Sequence, residues 1–197
     1  MTGPAVEAAE IADLPSVARL HGSGIREGFL SSLGQRFLTL FYGALYEDAA
    51  SLLLVARREG KVVGFVAASD DPAGFADRFR RRKRSDVIRA LLPALWRTRV
   101  ARGLWELRAH VAGESVGEPE LLAVVVDAGS RRSGIGKALE DGLEAAFRAR
   151  GVDRYFVVVS EVNMGARAFY ERSGFSEHSR IVVHRGTTSV RYEKSLL

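Results

Sequence analysis

Between Glu120 and Ser160 the chain spells two apolar runs, ELLAVVVD and RYFVVVS, joined by a short loop and a stretch with helical spacing. No other feature limits the fold as much. An apolar run without polar alternation reads as a strand buried on both faces. Between the two runs, Ile135, Leu139, Leu143, Ala146 and Phe147 recur at helical spacing, which predicts a helix over 134–150 ending at Arg150-Gly151. The result is a β-α-β unit, and the remaining elements have to be arranged around it.

Upstream, Asp13 before LPSVARLH predicts a capped helix with proline just inside it. Leu33, Phe37, Leu40, Phe41 and Ala44 form the stripe of a second helix, capped by Ser31 or Ser32. The period then changes. Two β-rich runs flank Glu59-Gly60, predicting an antiparallel hairpin with strands near 51–58 and 61–69. After DDPAG, residues 75 to about 111 read as a helical insert. Downstream, NMGARAFYERSGF reads as a helix closed by Gly174, and SRIVVH and TTSVRYEK as a last hairpin around Arg185-Gly186. The order predicts one α/β (α+β) domain over 1–197, with a central mixed sheet flanked by helices.

Composition narrows the chemistry. The chain has 197 residues and no cysteine, which removes disulfides, thiolate metal sites and a cysteine nucleophile together. His21, His110, His178 and His184 are scattered, so no metal site is expected. The first residues lack the pattern of a signal peptide, and no run is long and apolar enough to span a membrane, so a cytoplasmic protein is expected. The net charge is +5, and it is local: residues 77–102 hold ten basic side chains against Asp77 and Asp86, leaving the rest of the chain acidic. A preponderance of arginine over lysine is also what a biased genome composition would produce.

The loop after the first apolar run is the candidate site. It contains Arg131, Arg132, Ser133, Gly134, Ile135, Gly136 and Lys137 at the start of a helix. A helix start offers unpaired N–H groups and a partial positive charge, and glycine lets a ligand approach the backbone, so the loop suits a pyrophosphate. It is neither a Walker loop nor a G-x-G-x-x-G fingerprint, and by itself it fits equally a turn whose glycines serve packing.

The neighbours of the loop settle the reading. Arg131-x-x-Gly134-x-Gly136 after VVVD resembles the [QR]-x-x-G-x-[GA] signature of the GCN5-related N-acetyltransferases. Asn163, Ala166, Phe169, Tyr170, Gly174 and Phe175 resemble that family's N…A…FY…GF ending, so the likeness covers about 120–176. It implies a sheet splayed at the cofactor strand and acetyl-CoA as acyl donor. In this chain Val124, Val125 and Val126 would lie along the pantetheine arm, with the Val124 amide as oxyanion donor. The amides of Arg132 to Lys137 would hold the phosphates, beside the Arg131 side chain, and Asn163 and Phe169 would complete the cofactor site. Tyr170 matches the tyrosine that many members aim at the sulfur as an acid. Glu120, six residues before Val126, matches the strand glutamate used as base by histone-acetylating relatives. The expected reaction is direct attack by a primary amine in a ternary complex.

The basic segment bears on the acceptor and leaves several readings open. It could select an acidic small molecule such as a nucleotide-linked amino sugar, or rest on an anionic membrane through 77–102. A protein lysine or N-terminus, or a non-catalytic module holding nucleic acid or membrane, are the alternatives; nucleic acid is not expected as the main partner. A homodimer through the C-terminal strands stays open.

Overall fold

The computed structural model describes residues 4–25, 29–91, 117–183 and 187–197. Its frame is a seven-stranded sheet in the order β1-β2-β3-β4-β5-β7-β6. The strands are β1 (Ala5–Ala8), β2 (Ser51–Arg58), β3 (Lys61–Ser69), β4 (Glu120–Val126), β5 (Arg154–Ser160), β6 (Ser176–Val183) and β7 (Thr187–Ser195). All neighbours run antiparallel except β4 and β5, so the sheet is mixed, as expected from the β-α-β unit. The helices are α1 (Leu14–Gly24), α2 (Phe29–Ser32), α3 (Gln35–Tyr46), α4 (Pro72–Arg82), α5 (Arg84–Leu91), α6 (Ile135–Ala149) and α7 (Met164–Arg172).

The predicted hairpin falls at β2 and β3, and Glu59 and Gly60 both take positive φ (51° and 73°), the geometry a two-residue hairpin turn demands. Helix α6 buries Ile135, Leu139, Leu143 and Phe147, the spacing that predicted it, and Gly151 ends the turn that follows with φ of 75°. The helical insert is observed over α4 and α5; residues 92–111 of that expectation lie outside the described residues.

Two expected caps are not made. Asp13 precedes α1 but does not cap it. Its carboxylate accepts from the Glu10 amide and from Arg57 of β2, a charged partner that no local pattern announces. Ser31 and Ser32 belong to the short helix α2, and α3 begins instead behind Gly34 at φ 88°. The strand β1 carries no local strand pattern: only four residues long and mostly exposed, it is held by pairing with β2.

Strand alternation distributes the core between the two faces. Phe65, Ala67, Ala123 and Val125 face α1, α3 and α4, where Phe37, Phe41, Tyr42, Phe75 and Phe79 pack. Val66, Ala68, Leu121, Val157 and Val159 face α6 and α7, with Phe147, Tyr155, Tyr170 and Tyr192.

Candidate active site

The site begins with an irregularity in β4. Ala67 pairs with Ala123 but Ala68 pairs with Leu121, so Leu122 is an extra residue in the ladder. Such a bulge bends a strand and increases its twist. It also resets the alternation: Leu121 packs on the α6 side, while Leu122, Ala123 and Val125 pack on the α1 side. On the opposite edge, β4 meets β5 only at Glu120–Phe156 and Leu121–Val157. Beyond that the two strands part, and the sheet has a V-shaped gap bounded by Ala123–Val126 on one side and Val158–Ser160 on the other.

The polarity of the gap follows from one hydrogen bond. The Asp127 amide donates to the Val63 carbonyl of β3 at 2.8 Å. Peptide groups alternate along a strand, so the amides of Val124 and Val126 turn away from β3 and toward the gap. Arg131 agrees with this: its Nε reaches the Val126 carbonyl from that side at 3.3 Å. The Val124 N–H therefore faces a space where β5 supplies no acceptor. Val124 and Val126 pack their side chains toward α6, and Val125 is buried on the other face.

The vertex of the V is fixed by charge. Arg191 of β7 bonds Glu118 at 2.5 Å and lies 3.7 Å from the centre of the Phe156 ring, while Arg154 reaches the same carboxylate at 3.4 Å. Glu120 shares the Phe156 face of the sheet, since paired residues of parallel strands point the same way.

At the open end of the gap the loop turns into α6. Asp127 accepts from the Gly129 amide and Ser133 Oγ donates to the Ser130 carbonyl, so both polar side chains are spent inside the loop. Arg132 (φ 60°) and Gly134 (φ 81°) take left-handed conformations, and a non-glycine there costs on the order of 1–2 kcal/mol. Gly134 is the N-cap of α6 and no side chain caps the helix. First-turn amides without a side-chain cap, with the helix dipole behind them, suit an anion. The Lys137 side chain is turned to Asp141, which raises its pKa, so its contribution to the loop is its amide. Ile135 likewise contributes only backbone, because its side chain is core.

The far wall is α7. Asn163 caps it, Oδ1 accepting from the Ala166 amide at 3.1 Å. Phe169 lies over the first turn of α6: a Cβ placed on Gly136 would sit 3.4 Å from its ring. Tyr170 is 5% exposed and packed edge-on between Phe169 and Phe175. Burial, and after it the negative charge of Glu140, push its pKa well up, so the phenol keeps its proton through the neutral range. Sequence reasoning missed the groups that set these walls. Gly24, at the end of α1, lies so close to β4 that a Cβ there would come within 2.5 Å of Val125. Glu118 with Arg191, and Tyr192 behind α7, lie far apart in sequence from what they hold. An isolated glycine ending a helix was the only local signal among them.

Comparison with known proteins bears on the family and the fold. A family model, the acetyltransferase (GNAT) family, matches residues 23–175. A mycothiol acetyltransferase of Beutenbergia cavernae is 46% identical over 57 residues, 29% of this chain, and that stretch spans only 19% of the relative's length. Among solved structures, an N-acetyltransferase from Staphylococcus aureus Mu50 superposes with a TM-score of 0.66 at 14% identity, covering all of both chains. The PaiA N-acetyltransferase of Thermoplasma acidophilum, solved with coenzyme A, gives 0.62 at 12% identity, over 98% of this chain and 99% of that one. At such identities the superpositions speak for the fold. The family match, spanning most of the chain and ending at Phe175 where the second motif ends, speaks for more: this chain belongs to the GNAT family of acetyltransferases.

Proposed function

We propose that this acetyltransferase moves an acetyl group from acetyl-CoA to the primary amine of a small molecule, by direct attack within a ternary complex. The observation that carries the reading is the gap itself: β4 and β5 part after Leu121, the Val124 amide faces the opening, and an uncapped helix start stands at its mouth. Acetyl-CoA supplies the acyl group activated as a thioester. The amides from Arg132 to Lys137 hold its phosphates, assisted by the Arg131 and Arg132 charges, and Val124–Val126 take the pantetheine arm in place of a strand.

Each catalytic group then has one task. The Val124 N–H donates to the carbonyl oxygen as negative charge gathers on it. Tyr170 holds a proton for the departing sulfur. An amine is mostly protonated near neutral pH, alkylamines resembling lysine at about 10.4, so Glu120 accepts that proton. Glu120 lies four positions before Val124, about 13 Å along a regular strand and less across the bulge at Leu122, so Glu120 acts through water rather than by touching the amine. Asn163 shapes the site by capping α7. The relative named mycothiol acetyltransferase supports a small-molecule acceptor. The exposed arginines of α4 and α5, Arg81 and Arg89 among them, favour an acidic one.

Thermal unfolding with acetyl-CoA tests the donor. At about a hundred times its dissociation constant the ligand stabilises the fold by roughly 2.7 kcal/mol, and Arg132→Glu with Gly134→Glu abolishes the shift. No shift at millimolar ligand would overturn the reading.

A further inference from the structure

The ring of Tyr170 rests against Phe169 and Phe175. Contacts of that kind fix how deep a ring lies better than where its hydroxyl points. On a helix the second question is decided by rotation about the axis. With Cα atoms at a radius of about 2.3 Å, a turn of roughly 10° swings a tyrosine hydroxyl by more than 1 Å. A misplacement of about that size can cost on the order of a hundredfold in rate.

Among the described residues, a directional clamp on α7 comes from β7. Tyr192 of β7 is 1% exposed, and its hydroxyl donates to Glu171 Oε1 at 2.8 Å and accepts from Arg167 Nε at 3.0 Å. Arg167 and Glu171 are four residues apart, so they straddle one face of α7 and present it to the sheet. Tyr170 stands between them in sequence and follows wherever that face is pinned. The register fixes the other end: Tyr192 pairs with Val157 of β5, the residue at which β4 and β5 last meet. The hydroxyl thus ties the helix carrying Tyr170 to the vertex of the gap by two directional bonds.

We propose that Tyr192 is a positioning residue, aiming the Tyr170 hydroxyl into the gap by clamping α7 through Arg167 and Glu171. The inference rests on Tyr170 meeting the sulfur. Removing the Tyr192 hydroxyl leaves the core packing in place and lets Arg167 and Glu171 pair with each other across one helical turn. The fold survives, and the aim does not.

The test needs no acceptor. Protein carrying 3-fluorotyrosine at its five tyrosines is titrated with coenzyme A, and the Tyr170 resonance is identified by its loss in Tyr170→Phe. In the wild type that resonance moves as the thiol fills the gap. In Tyr192→Phe the movement falls to about half or less, while the affinity for coenzyme A stays within roughly twofold. Arg167→Met, which leaves the core tyrosine untouched, reduces the movement in the same direction. An equal movement in Tyr192→Phe and wild type overturns the clamp alone. Coenzyme A binding that leaves the Tyr170 resonance unmoved in the wild type overturns the acid assignment and the clamp with it. Absence of binding overturns the donor.

Discussion

The two faces of the sheet are built on different principles. Under α1, α3 and α4 the core is almost wholly apolar and aromatic, with Phe37, Phe41, Tyr42, Phe65, Phe75 and Phe79 meeting edge to face. Within it lies His21, whose Nδ1 pairs with the Tyr42 hydroxyl at 2.6 Å while Nε2 is buried with no partner among the described residues; at its rim Asp13 is buried against Arg57. Under α6 and α7 the core admits charge. Glu140 (1% exposed) and Glu144 both bind the Lys194 ammonium, at 2.9 Å for Glu140, and Tyr155 reaches Glu144 at 3.4 Å. Lys194 also stacks over Phe175, which holds Tyr170. The apolar face is a foundation. The charged face is the one that carries the loop, Phe169 and Tyr170 of α7 and the polar clamp on that helix, so directional bonds stand where direction is needed.

The contrast is broken most severely by removing one member from each face. Phe37→Ala costs about 3–5 kcal/mol through the cavity it leaves. Lys194→Met costs a similar 3–5 kcal/mol by a different route, leaving Glu140 buried without its cation and Glu144 with Arg148 as its remaining cation. Urea denaturation of double variants separates the two: adding Glu140→Gln recovers part of the loss in Lys194→Met and none of the loss in Phe37→Ala. Equal responses in both would show that the charged face is ordinary packing.

A smaller effect sharpens the comparison from the apolar side. Burial lowers the His21 pKa from 6.5 to about 4. The unfolded chain binds the proton first as pH falls, so stability is complete above about 6.5 and lost on the way down to about 4, by about 3 kcal/mol. The difference between denaturation midpoints at pH 7 and pH 4.5 reads this slope, and His21→Leu flattens it.

The smallest effects distinguish the two loop glycines. Gly134→Ala costs about 1–2 kcal/mol because φ is 81°, although nothing lies within 4 Å to obstruct a Cβ. Gly136→Ala places a methyl in ordinary contact with Phe169 and changes stability by less than about 1 kcal/mol. Thermal melts of the two variants side by side check the order.

Local pattern sufficed wherever the physics is local. The hairpin turn, the stripe of α6, the two apolar strands and the glycine-started loop each satisfy themselves within a few residues, and each stands where the pattern put it. The expected caps failed where the side chain is engaged elsewhere: Asp13 holds the Glu10 amide and Arg57, and Ser31 donates to the Ile25 carbonyl. The site divides the same way. Arg131 to Lys137, Asn163, Phe169 and Tyr170 are contiguous motifs, whereas Gly24, Glu118 with Arg191, and Tyr192 act across gaps of tens of residues.

By itself, then, the sequence determined the β-α-β unit, the glycine-started helix α6 and the pair of motifs that place this chain among its relatives. Those depend on backbone periodicity and on glycine's freedom at Gly134, and both are written residue by residue. The resemblance carried the expectation of a splayed sheet with the Val124 amide toward the cofactor; only the tertiary structure decided that the parting comes with a bulge at Leu122 and that Tyr192 holds α7 from behind. Each of these turns on which strand lies beside which. That is settled by the packing of the whole sheet against its two helical layers, at distances along the chain over which a local pattern carries no information.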